Sequence, residues 1–259
     1  MDTLQFNIEN GVAYLTFNRP DSYNSCNKDM AFAIQNRLKE CESNPEVRCI
    51  YITGMGKAFC AGQDLQEITD PEEGIEISSI VADHYNPIVL KIRQIEKPVV
   101  AAVNGVAAGA GANLALCCDV VVAAKSASFI QAFSKIGLIP DTGGTFYLPR
   151  LIGFQKASAL IMLGDKVSAE EAERMGMIYK VFPDEDFVAE SKKIAERLAG
   201  MPTKGLGLTK RALNYSADND LETQLGIEEQ LQTAASNTED YQEGVGAFLE
   251  KRKPNFKGA

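Results

Sequence analysis

The chain has 259 residues, 45% of them apolar and 24% charged, which suits one large globular domain with a sizeable core. Its net charge of −9 at pH 7 argues against general nucleic-acid binding, because such binding needs a concentrated positive surface. A basic-then-apolar leader and an apolar run long enough to cross a bilayer are both missing from the sequence, so we predict a cytoplasmic protein that does not contact membranes.

The cysteine and histidine content narrows the chemistry. The six cysteines lie mostly among apolar neighbours without Cys-x-x-Cys spacing, so we expect reduced thiols in the core. His84 is the single histidine, which removes most histidine-based triads and metal sites. It lies in an acidic, helix-like stretch, and we predict a surface residue rather than a catalyst.

Several segments have the apolar alternation or the short buried runs that are typical of β-strands. The first two flank Asn10-Gly11, a strong hairpin turn, so we expect them to pair antiparallel. The third is followed by a predicted loop at residues 54–62. The predicted strands are residues 4–8, 12–17, 49–53, 98–103, 119–124, 128–133 and 178–182.

Apolar residues at helical spacing predict helices between the strands and an almost wholly helical last third. Asn27 can cap the first helix, Ser168 and Glu171 fit a capping box, and Asp70-Pro71 predicts a break. The predicted helices are residues 28–41, one or two segments within 64–95, 145–151, 155–163, 168–175, 186–198 and three segments beyond Pro202. Strand, turn and helix recur at roughly 40 to 50 residues, which suggests a wound or spiral α/β architecture.

A run of small residues from Val103 to Asp119 follows a predicted buried strand and enters a helix-like pattern. The exposed N–H groups of such a turn favour negative charge, so it could hold a phosphate, a carboxylate or a reacting oxyanion. Gly109 begins a sequence like a dinucleotide-binding fingerprint, but Leu114 stands where the last glycine would fall. The turn alone leaves these ligands open.

A second turn of small residues, at residues 58–65, again lies between a strand and a predicted helix. It is either a structural turn or a second source of main-chain donors. Two N–H groups from separate turns can polarise one carbonyl and hold its enolate, which is worth a few kcal/mol per donor.

Asp141 lies in a third loop, at residues 137–145. Its sequence context fits a turn or helix-capping aspartate. It also fits a proton carrier, because apolar Phe133 and Ile139 could desolvate the carboxylate and raise its pKa.

Three motifs occur in order: Ala-Phe-Cys-Ala-Gly-Gln-Asp-Leu at 58–65, Lys-Pro-Val-Val-Ala-Ala-Val-Asn-Gly at 97–105 and Gly-Leu-Ile-Pro-Asp-Thr-Gly-Gly-Thr at 137–145. Together they resemble the enoyl-CoA hydratase/isomerase (crotonase) superfamily, over essentially the whole chain. The resemblance implies an α/β fold, a crotonase-type spiral of ββα turns that binds an acyl-CoA substrate at residues 1–200. It also implies a helical region for trimerisation at residues 201–259, with a homotrimer or a hexamer as the assembly.

By motif position, the resemblance implies that the main-chain N–H groups of Gln63 and Ala110 hold the thioester oxygen, with the Gln63 side chain incidental. No metal or redox cofactor is implied, because CoA is part of the substrate. Lys251 and Arg252 could meet CoA phosphates, across a subunit contact or within one chain, or form a solvated charge cluster. The positions that match family contacts to CoA are Ala61, Asp64 and Leu65.

Asn113 and Phe133 stand where typical hydratases of this superfamily carry two catalytic glutamates. A residue that cannot ionise cannot activate water, so the catalytic role passes to Asp141, where isomerase branches of the family place an aspartate. Asn113 and Phe133 are then expected to line the substrate site. Asn113 would orient substrate or water, or satisfy the helix start.

Residues 105–112, 132–141 and 241–252 resemble the branch that isomerises ring-1,2-epoxyphenylacetyl-CoA in aerobic phenylacetate degradation, and residues 129–133 resemble an acyl carrier protein isomerase branch. The first likeness implies conversion of 2-(1,2-epoxy-1,2-dihydrophenyl)acetyl-CoA to oxepin-CoA, and association with other enzymes of that pathway. The same groups could move a double bond from 3-enoyl-CoA to 2-enoyl-CoA. The alternatives are a hydratase or hydrolase that uses Asp141, and a non-catalytic acyl-CoA-binding subunit.

Overall fold

The computed structural model describes residues 2–69 and 76–259 as an α/β fold with two mixed sheets and a group of C-terminal helices. The expected break at Asp70-Pro71 lies outside these residues. The strands are β1 Leu4–Glu9, β2 Val12–Phe17, β3 Cys49–Gly54, β4 Ala58–Cys60, β5 Val99–Val103, β6 Val106–Ala108, β7 Val120–Ala124, β8 Ser128–Ile130, β9 Lys166–Ser168 and β10 Lys180–Phe182.

The helices follow the strands along the chain and dominate its last third. A π-helical turn, Ile80–Tyr85, joins α3 to α4, and 3-10 turns occupy Pro20–Ser22 and Ala132–Ile136. The α-helices are α1 Lys28–Ser43, α2 Leu65–Thr69, α3 Ile77–Ser79, α4 Asn86–Gln94, α5 Ala110–Leu116, α6 Gly144–Ile152, α7 Phe154–Leu163, α8 Ala169–Arg174, α9 Asp184–Ala199, α10 Thr203–Tyr215, α11 Leu221–Ser236 and α12 Glu239–Leu249.

The two sheets are built from one repeated unit. The larger sheet has the order β1-β2-β3-β5-β7-β10, and the smaller one the order β4-β6-β8-β9. Strands β3, β5 and β7 of the larger sheet are each followed by a strand of the smaller sheet and then by helical structure. This repetition confirms the predicted spiral of ββα turns.

The N-terminal predictions agree closely with the structure. Asn10 and Gly11 have φ of 52° and 78°, the left-handed pair that a tight hairpin needs, and β1 pairs antiparallel with β2. The Asn27 side chain accepts a hydrogen bond from Met30 N at 3.1 Å and so caps α1. Ser168 caps α8 in the same way through Glu171 N, at 3.2 Å.

The central strands form the core. Ile50 pairs with Val99 and Ile52 with Ala101 in a parallel register, and all four side chains are buried. Because helices and the second sheet cover these strands, their sequences read as continuous apolar runs. Each strand then enters a short turn before the smaller sheet, and these turns contain the candidate site.

Several short segments differ from the prediction, and strands β6 and β9 were not predicted. The expected loop at residues 54–62 contains β4, a three-residue strand flanked by glycines that is too short to show a periodic pattern. The expected strand at residues 128–133 ends at Ile130, and Phe133 lies in the following 3-10 turn. There Gly137 has φ of 75° and ends the turn, a change of structure that the apolar run conceals.

The surface prediction for His84 was wrong. His84 is buried, and its ring lies edge-on to Phe32 with 5.4 Å between the ring centroids. Its carbonyl accepts a hydrogen bond from Gln35 Nε2, so packing against α1 overrides the polar sequence around it. The expectation for the cysteines is confirmed, because all six are buried free thiols.

The C-terminal helices are tied to the core through charged groups. Lys210 of α10 forms an ion pair with Asp119 at 2.7 Å, and Arg93 reaches the same carboxylate at 2.8 Å. The final residues fold back, since the Asp240 carboxylate accepts hydrogen bonds from Lys257 N and Gly258 N. Within residues 2–69 and 76–259, no helix combines the length and the apolar character needed to cross a membrane.

Candidate active site

The two turns of small residues lie against each other. Gly62 has φ of +96°, and a Cβ added there would be 3.0 Å from Ala108 O and 3.5 Å from Ala110 N. The turn after β4 therefore runs beside the turn that enters α5. Gln63 follows Gly62 directly, so the two donors expected from separate parts of the sequence are brought together.

Close backbone packing explains the small residues of these turns. A Cβ on Gly111 would lie 2.2 Å from Cys60 O, a distance that van der Waals repulsion forbids. Gly109 has φ of 53° and donates from its N–H to Ile130 O at 2.8 Å. The first turn of α5 is thus fixed between β4 and β8.

The Gln63 and Ala110 N–H groups are left available. Cys26 pairs with the Gln63 turn as an isolated bridge, donating to Gly62 O at 2.7 Å and accepting from Asp64 N at 2.9 Å. These two bonds lie on one side of the chain, so the Gln63 N–H points to the other. Within the described residues 2–69 and 76–259, neither the Gln63 nor the Ala110 N–H has an acceptor. Two unused main-chain donors can polarise a thioester carbonyl.

Asp141 lies over the first turn of α5. Its main-chain carbonyl accepts a hydrogen bond from Asn113 Nδ2 at 2.9 Å, and Asn113 follows Ala110 by three residues, on the same face of the helix. Its carboxylate Oδ1 accepts from Thr142 Oγ1 at 2.8 Å. The structure therefore places the Asp141 loop against the helix that Ala110 begins, and that helix starts beside the Gly62–Gln63 turn.

Two buried amides hold the Asp141 loop. Gln131 Nε2 donates to Asn113 Oδ1 at 2.8 Å, and Asn113 Nδ2 then donates to Asp141 O. Asn113 and Gln131 are 1% and 5% exposed, which leaves little room for water to replace either bond. Both groups stay uncharged at every pH, so the chain aims the Asp141 loop without placing a second carboxylate beside it.

The Asp141 carboxyl has the electrostatics of a proton carrier. Burial raises its pKa above the ordinary value, against the opposing effect of the Thr142 hydrogen bond. A carboxylate with a raised pKa is a stronger base that can take a proton from carbon and return it. In the part of the chain that the structure describes, no cluster of three or more His, Cys, Asp or Glu side chains is arranged to hold a metal ion.

The model of the family described as enoyl-CoA hydratase/isomerase matches residues 7–259. The chain belongs to this family, known as the crotonase family. It is thus a crotonase-family enzyme that acts on acyl-CoA.

Curated relatives and solved structures of this family match the chain over nearly its full length. The 1,2-epoxyphenylacetyl-CoA isomerase of Escherichia coli is 47% identical, with 100% of this chain and 99% of the relative covered. A probable enoyl-CoA hydratase of Rhodobacter capsulatus is 43% identical, with 99% and 98% covered. The crystal structure of an enoyl-CoA hydratase from Bacillus anthracis superimposes with a TM-score of 0.93 at 34% identity, covering 99% of this chain and 100% of that one.

Other residues expected to contact acyl-CoA in this crotonase fold surround the paired turns. Ala61 is half-buried and Leu65 is 52% exposed beside the donors. Asp64 is buried instead, where its carboxylate forms an ion pair with Arg19 at 2.7 Å and accepts from Gln66 N. The Phe133 ring packs over Gly109, with Cζ 3.7 Å from where a Cβ on that glycine would lie.

Lys251 and Arg252 lie apart from this crotonase site within one chain. Lys251 is exposed just after α12, and the contacts of the described residues do not join it to Gln63, Ala110 or Asp141. Arg252 forms ion pairs with Glu243 and Glu250, both at 2.6 Å, so its guanidinium is already neutralised. A CoA contact by Lys251, within one chain or across a subunit contact, stays a prediction.

Sequence reasoning missed the side-chain partners of Gln63. The Tyr85 hydroxyl donates to Gln63 Oε1 at 3.0 Å, and Gln63 Nε2 donates to Glu67 Oε2 at 2.8 Å. The carboxamide is therefore bound at both ends, and whether the Gln63 side chain is incidental to catalysis stays a prediction. Glu67 stands four residues after Gln63 in a helical stretch, a spacing that could have been noticed, whereas no local signal points to Tyr85.

Proposed function

We propose that this enzyme is an acyl-CoA isomerase in which Asp141 moves a proton between two carbons of the acyl group. The observation that carries the proposal is a partly buried carboxylate whose loop is held against the helix that Ala110 begins, where the N–H groups of Ala110 and Gln63 have no acceptor among the described residues. One acid with two oxyanion donors fits proton abstraction next to a thioester and return of the proton elsewhere.

The proposed step is a balanced isomerisation. The Asp141 carboxylate takes a proton from the carbon next to the thioester, and the electron pair left behind delocalises onto the thioester oxygen. The Gln63 and Ala110 N–H groups stabilise that oxyanion. Protonated Asp141 then returns the proton to another carbon as the double bonds shift. With the ring epoxide, the C–C bond shared by the epoxide and the six-membered ring also breaks, and its electron pair joins the shifted double bonds as the ring expands, so no atom or electron is gained or lost.

Hydration by two carboxylates is disfavoured by the residues around Asp141. The Asn113 amide is used between Gln131 and the Asp141 carbonyl, and Phe133 contributes a buried ring. Neither side chain can take a proton from water.

For the substrate, we propose 2-(1,2-epoxy-1,2-dihydrophenyl)acetyl-CoA, with oxepin-CoA as product. The support is the full-length similarity to the Escherichia coli 1,2-epoxyphenylacetyl-CoA isomerase. The same proton movement would convert a 3-enoyl-CoA to a 2-enoyl-CoA, because the carbon next to the thioester carries the acidic hydrogen in both substrates.

The test is Asp141→Asn, assayed with the ring epoxide, a 3-enoyl-CoA and crotonyl-CoA, with products identified by mass and ultraviolet spectrum. We expect turnover to fall by about 10²–10⁴-fold, the usual contribution of a general acid–base group, with acyl-CoA binding near normal. Asp186→Asn, an exposed change on α9, is the matched control. Full activity of Asp141→Asn, or hydration of crotonyl-CoA as the main wild-type reaction, would refute the proposal.

Loss of activity in Asp141→Asn is expected without loss of stability. The Asp141 pKa is raised in the folded state, so its charge opposes folding above that pKa, and the penalty disappears as pH falls and the carboxyl is protonated. Asparagine carries no such charge. The variant should therefore be at least as stable as the wild type at pH 7, as measured by urea unfolding.

We further propose that residues 201–259 form the oligomerisation region of a homotrimer or of paired trimers. The support is a series of apolar side chains that one chain leaves exposed, while α10 stays anchored to the core through Lys210. Light scattering coupled to size-exclusion chromatography tests this, and a monomeric mass would contradict it. The exposed side chains are Leu213, Leu221, Leu225, Val245, Phe248 and Leu249.

A further inference from the structure

Tyr85 occupies a distinctive place in the fold. It ends the π-helical turn Ile80–Tyr85 and is 1% exposed, yet its hydroxyl reaches Gln63 Oε1 at 3.0 Å. Gln63 is the residue after Gly62 and carries one of the two free N–H groups. The bond therefore links the helix that follows residue 76 to the turn that supplies an oxyanion donor.

The Gln63 carboxamide is fixed from its other end as well. Gln63 Nε2 donates to Glu67 Oε2 at 2.8 Å, and Glu67 Oε1 accepts from Lys28 N, also at 2.8 Å. The chain of hydrogen bonds thus runs from buried Tyr85 through Gln63 and Glu67 to the start of α1. Both ends of this chain are anchored in helices.

Such a chain matters because it adds a second constraint to the peptide plane between Gly62 and Gln63, whose carbonyl already accepts a hydrogen bond from Cys26 N at 2.7 Å. Gly62, at φ +96°, has no Cβ to restrict it, and the direction of the Gln63 N–H depends on the peptide plane between these two residues. A side chain held at both ends restricts the backbone to which it is attached. We propose that Tyr85 is a positioning residue that aims the Gln63 N–H at the thioester oxygen through the Gln63 carboxamide.

The chemistry of Tyr85 suits a permanent donor. Burial raises its pKa well above the ordinary value, and the neighbouring Cys26, Cys60 and Asp141 side chains raise it further. The hydroxyl therefore keeps its proton throughout the pH range in which Asp141 works. The link from Tyr85 to Gln63 should hold whether Asp141 is ionised or protonated.

The expected effect is specific to the reaction. The inference rests on the proposed oxyanion role of Gln63, since a donor that is aimed badly loses most where charge develops on the oxygen. Tyr85→Phe should lower kcat about 10-fold and change KM little, less than the 10²–10³-fold seen when an oxyanion donor is removed outright.

The experiment measures the carbonyl directly. Phenylacetyl-CoA labelled with ¹³C at the thioester carbonyl is bound to the wild type, Tyr85→Phe, Gln63→Ala and the double variant, and the carbonyl stretch is recorded by difference infrared spectroscopy. Turnover and urea stability are measured on the same proteins. Tyr51→Phe is the matched control, because Tyr51 is also buried and its hydroxyl forms a hydrogen bond with a side chain, Ser191 Oγ, at 2.8 Å.

We expect the bound carbonyl to absorb at lower frequency than in water in the wild type and in Tyr51→Phe, and to move back toward its frequency in water in Tyr85→Phe. Gln63→Ala, which keeps the N–H, should behave like Tyr85→Phe. The double variant should lose no more activity than the more impaired of the two single variants. An unchanged band and kcat in Tyr85→Phe, or additive losses in the double variant, would overturn the inference. If Tyr85→Phe does not fold, Gln63→Ala decides alone, by the same carbonyl band and kcat.

These outcomes are distinct from failure of the proposed function. A wild-type band at the frequency found in water would refute the oxyanion role itself. A shifted wild-type band together with full activity of Asp141→Asn would refute the proton transfer and leave the Tyr85 inference standing.

Discussion

The candidate site has two halves that are built in different ways. The donor half consists of main-chain N–H groups, and its geometry depends on glycines that let β4 and α5 come close together. The acid half consists of one side chain, Asp141, whose loop is held by the Asn113 and Gln131 amides and whose pKa is raised by burial. The main-chain donors depend on how closely β4 and α5 pack, whereas the carboxyl depends on surroundings that raise its pKa.

The difference shows which changes each half can tolerate. Every residue except proline has a main-chain N–H, so in the donor half the missing Cβ of Gly62 and Gly111 sets the packing, and the proposed role of the Gln63 side chain is to aim the N–H. In the acid half a substitution can keep the fold and still change the reaction, because protonation depends on a few polar atoms. The three changes below probe this contrast.

The largest effect is expected from Gly111→Ala in the donor half. The added methyl group would lie 2.2 Å from Cys60 O and 2.7 Å from Cys60 Cβ, so α5 and β4 must separate. We expect a loss of about 3 kcal/mol or more in the free energy of unfolding, together with loss of turnover. Urea unfolding and the isomerase assay measure the two effects.

The control for Gly111→Ala is Gly205→Ala in α10. There the nearest atoms to an added Cβ, those of Pro202, are 3.9 Å away. Removing a helical glycine without a clash should stabilise the protein by about 0.5 kcal/mol. Equal stability of the two variants would show that the packing of β4 on α5 is not what fixes the donors.

A smaller effect is expected from Asn113→Asp in the acid half. The change keeps the shape but replaces the N–H donor to Asp141 O by a buried carboxylate oxygen. We expect a loss of about 2 kcal/mol in unfolding free energy and about 10-fold in kcat. Asn237→Asp, at an exposed site, should cost less than about 0.5 kcal/mol. A stability loss with unchanged kcat would mean that the Asn113–Gln131 amide pair contributes to the fold but not to catalysis.

The smallest effect is expected from Thr142→Val, which should change only the pH dependence of kcat/KM. Proton removal needs ionised Asp141, so kcat/KM should fall as pH drops through its raised pKa. The Thr142 hydroxyl lowers that pKa, and its loss should move the acid limb of the profile to higher pH. Thr145→Val, an exposed change three residues later, should leave the limb in place. A shift to lower pH would contradict the assignment of the limb to Asp141.

The sequence predicts features that depend on local chemistry. Asn10-Gly11, Asn27 and Ser168 act through their own backbone neighbours, and each has the predicted hairpin or cap. The turns that enclose Gly62 and Gly109 were likewise identified by their lack of side chains, and the structure places them side by side.

The missed features depend on distant parts of the chain. His84 is buried because Phe32 and Gln35 of α1 pack against it, about 50 residues away in sequence, a separation no local periodicity records. The Tyr85 bond to Gln63 spans 22 residues and includes no charged partner. Features of this kind follow from the packing of helices on the spiral.

The π-helical turn Ile80–Tyr85 also bears on how the length of this segment can vary. Relative to an α-helix, a π-turn accommodates one extra residue, and one residue corresponds to about 100° of rotation. Deleting one residue between Ile80 and His84 would therefore let this segment form an ordinary α-helix, while buried Ile88 and Ile92 keep their orientation. A deletion here should be better tolerated than a deletion inside α4, where it would rotate the residues that follow by about 100°.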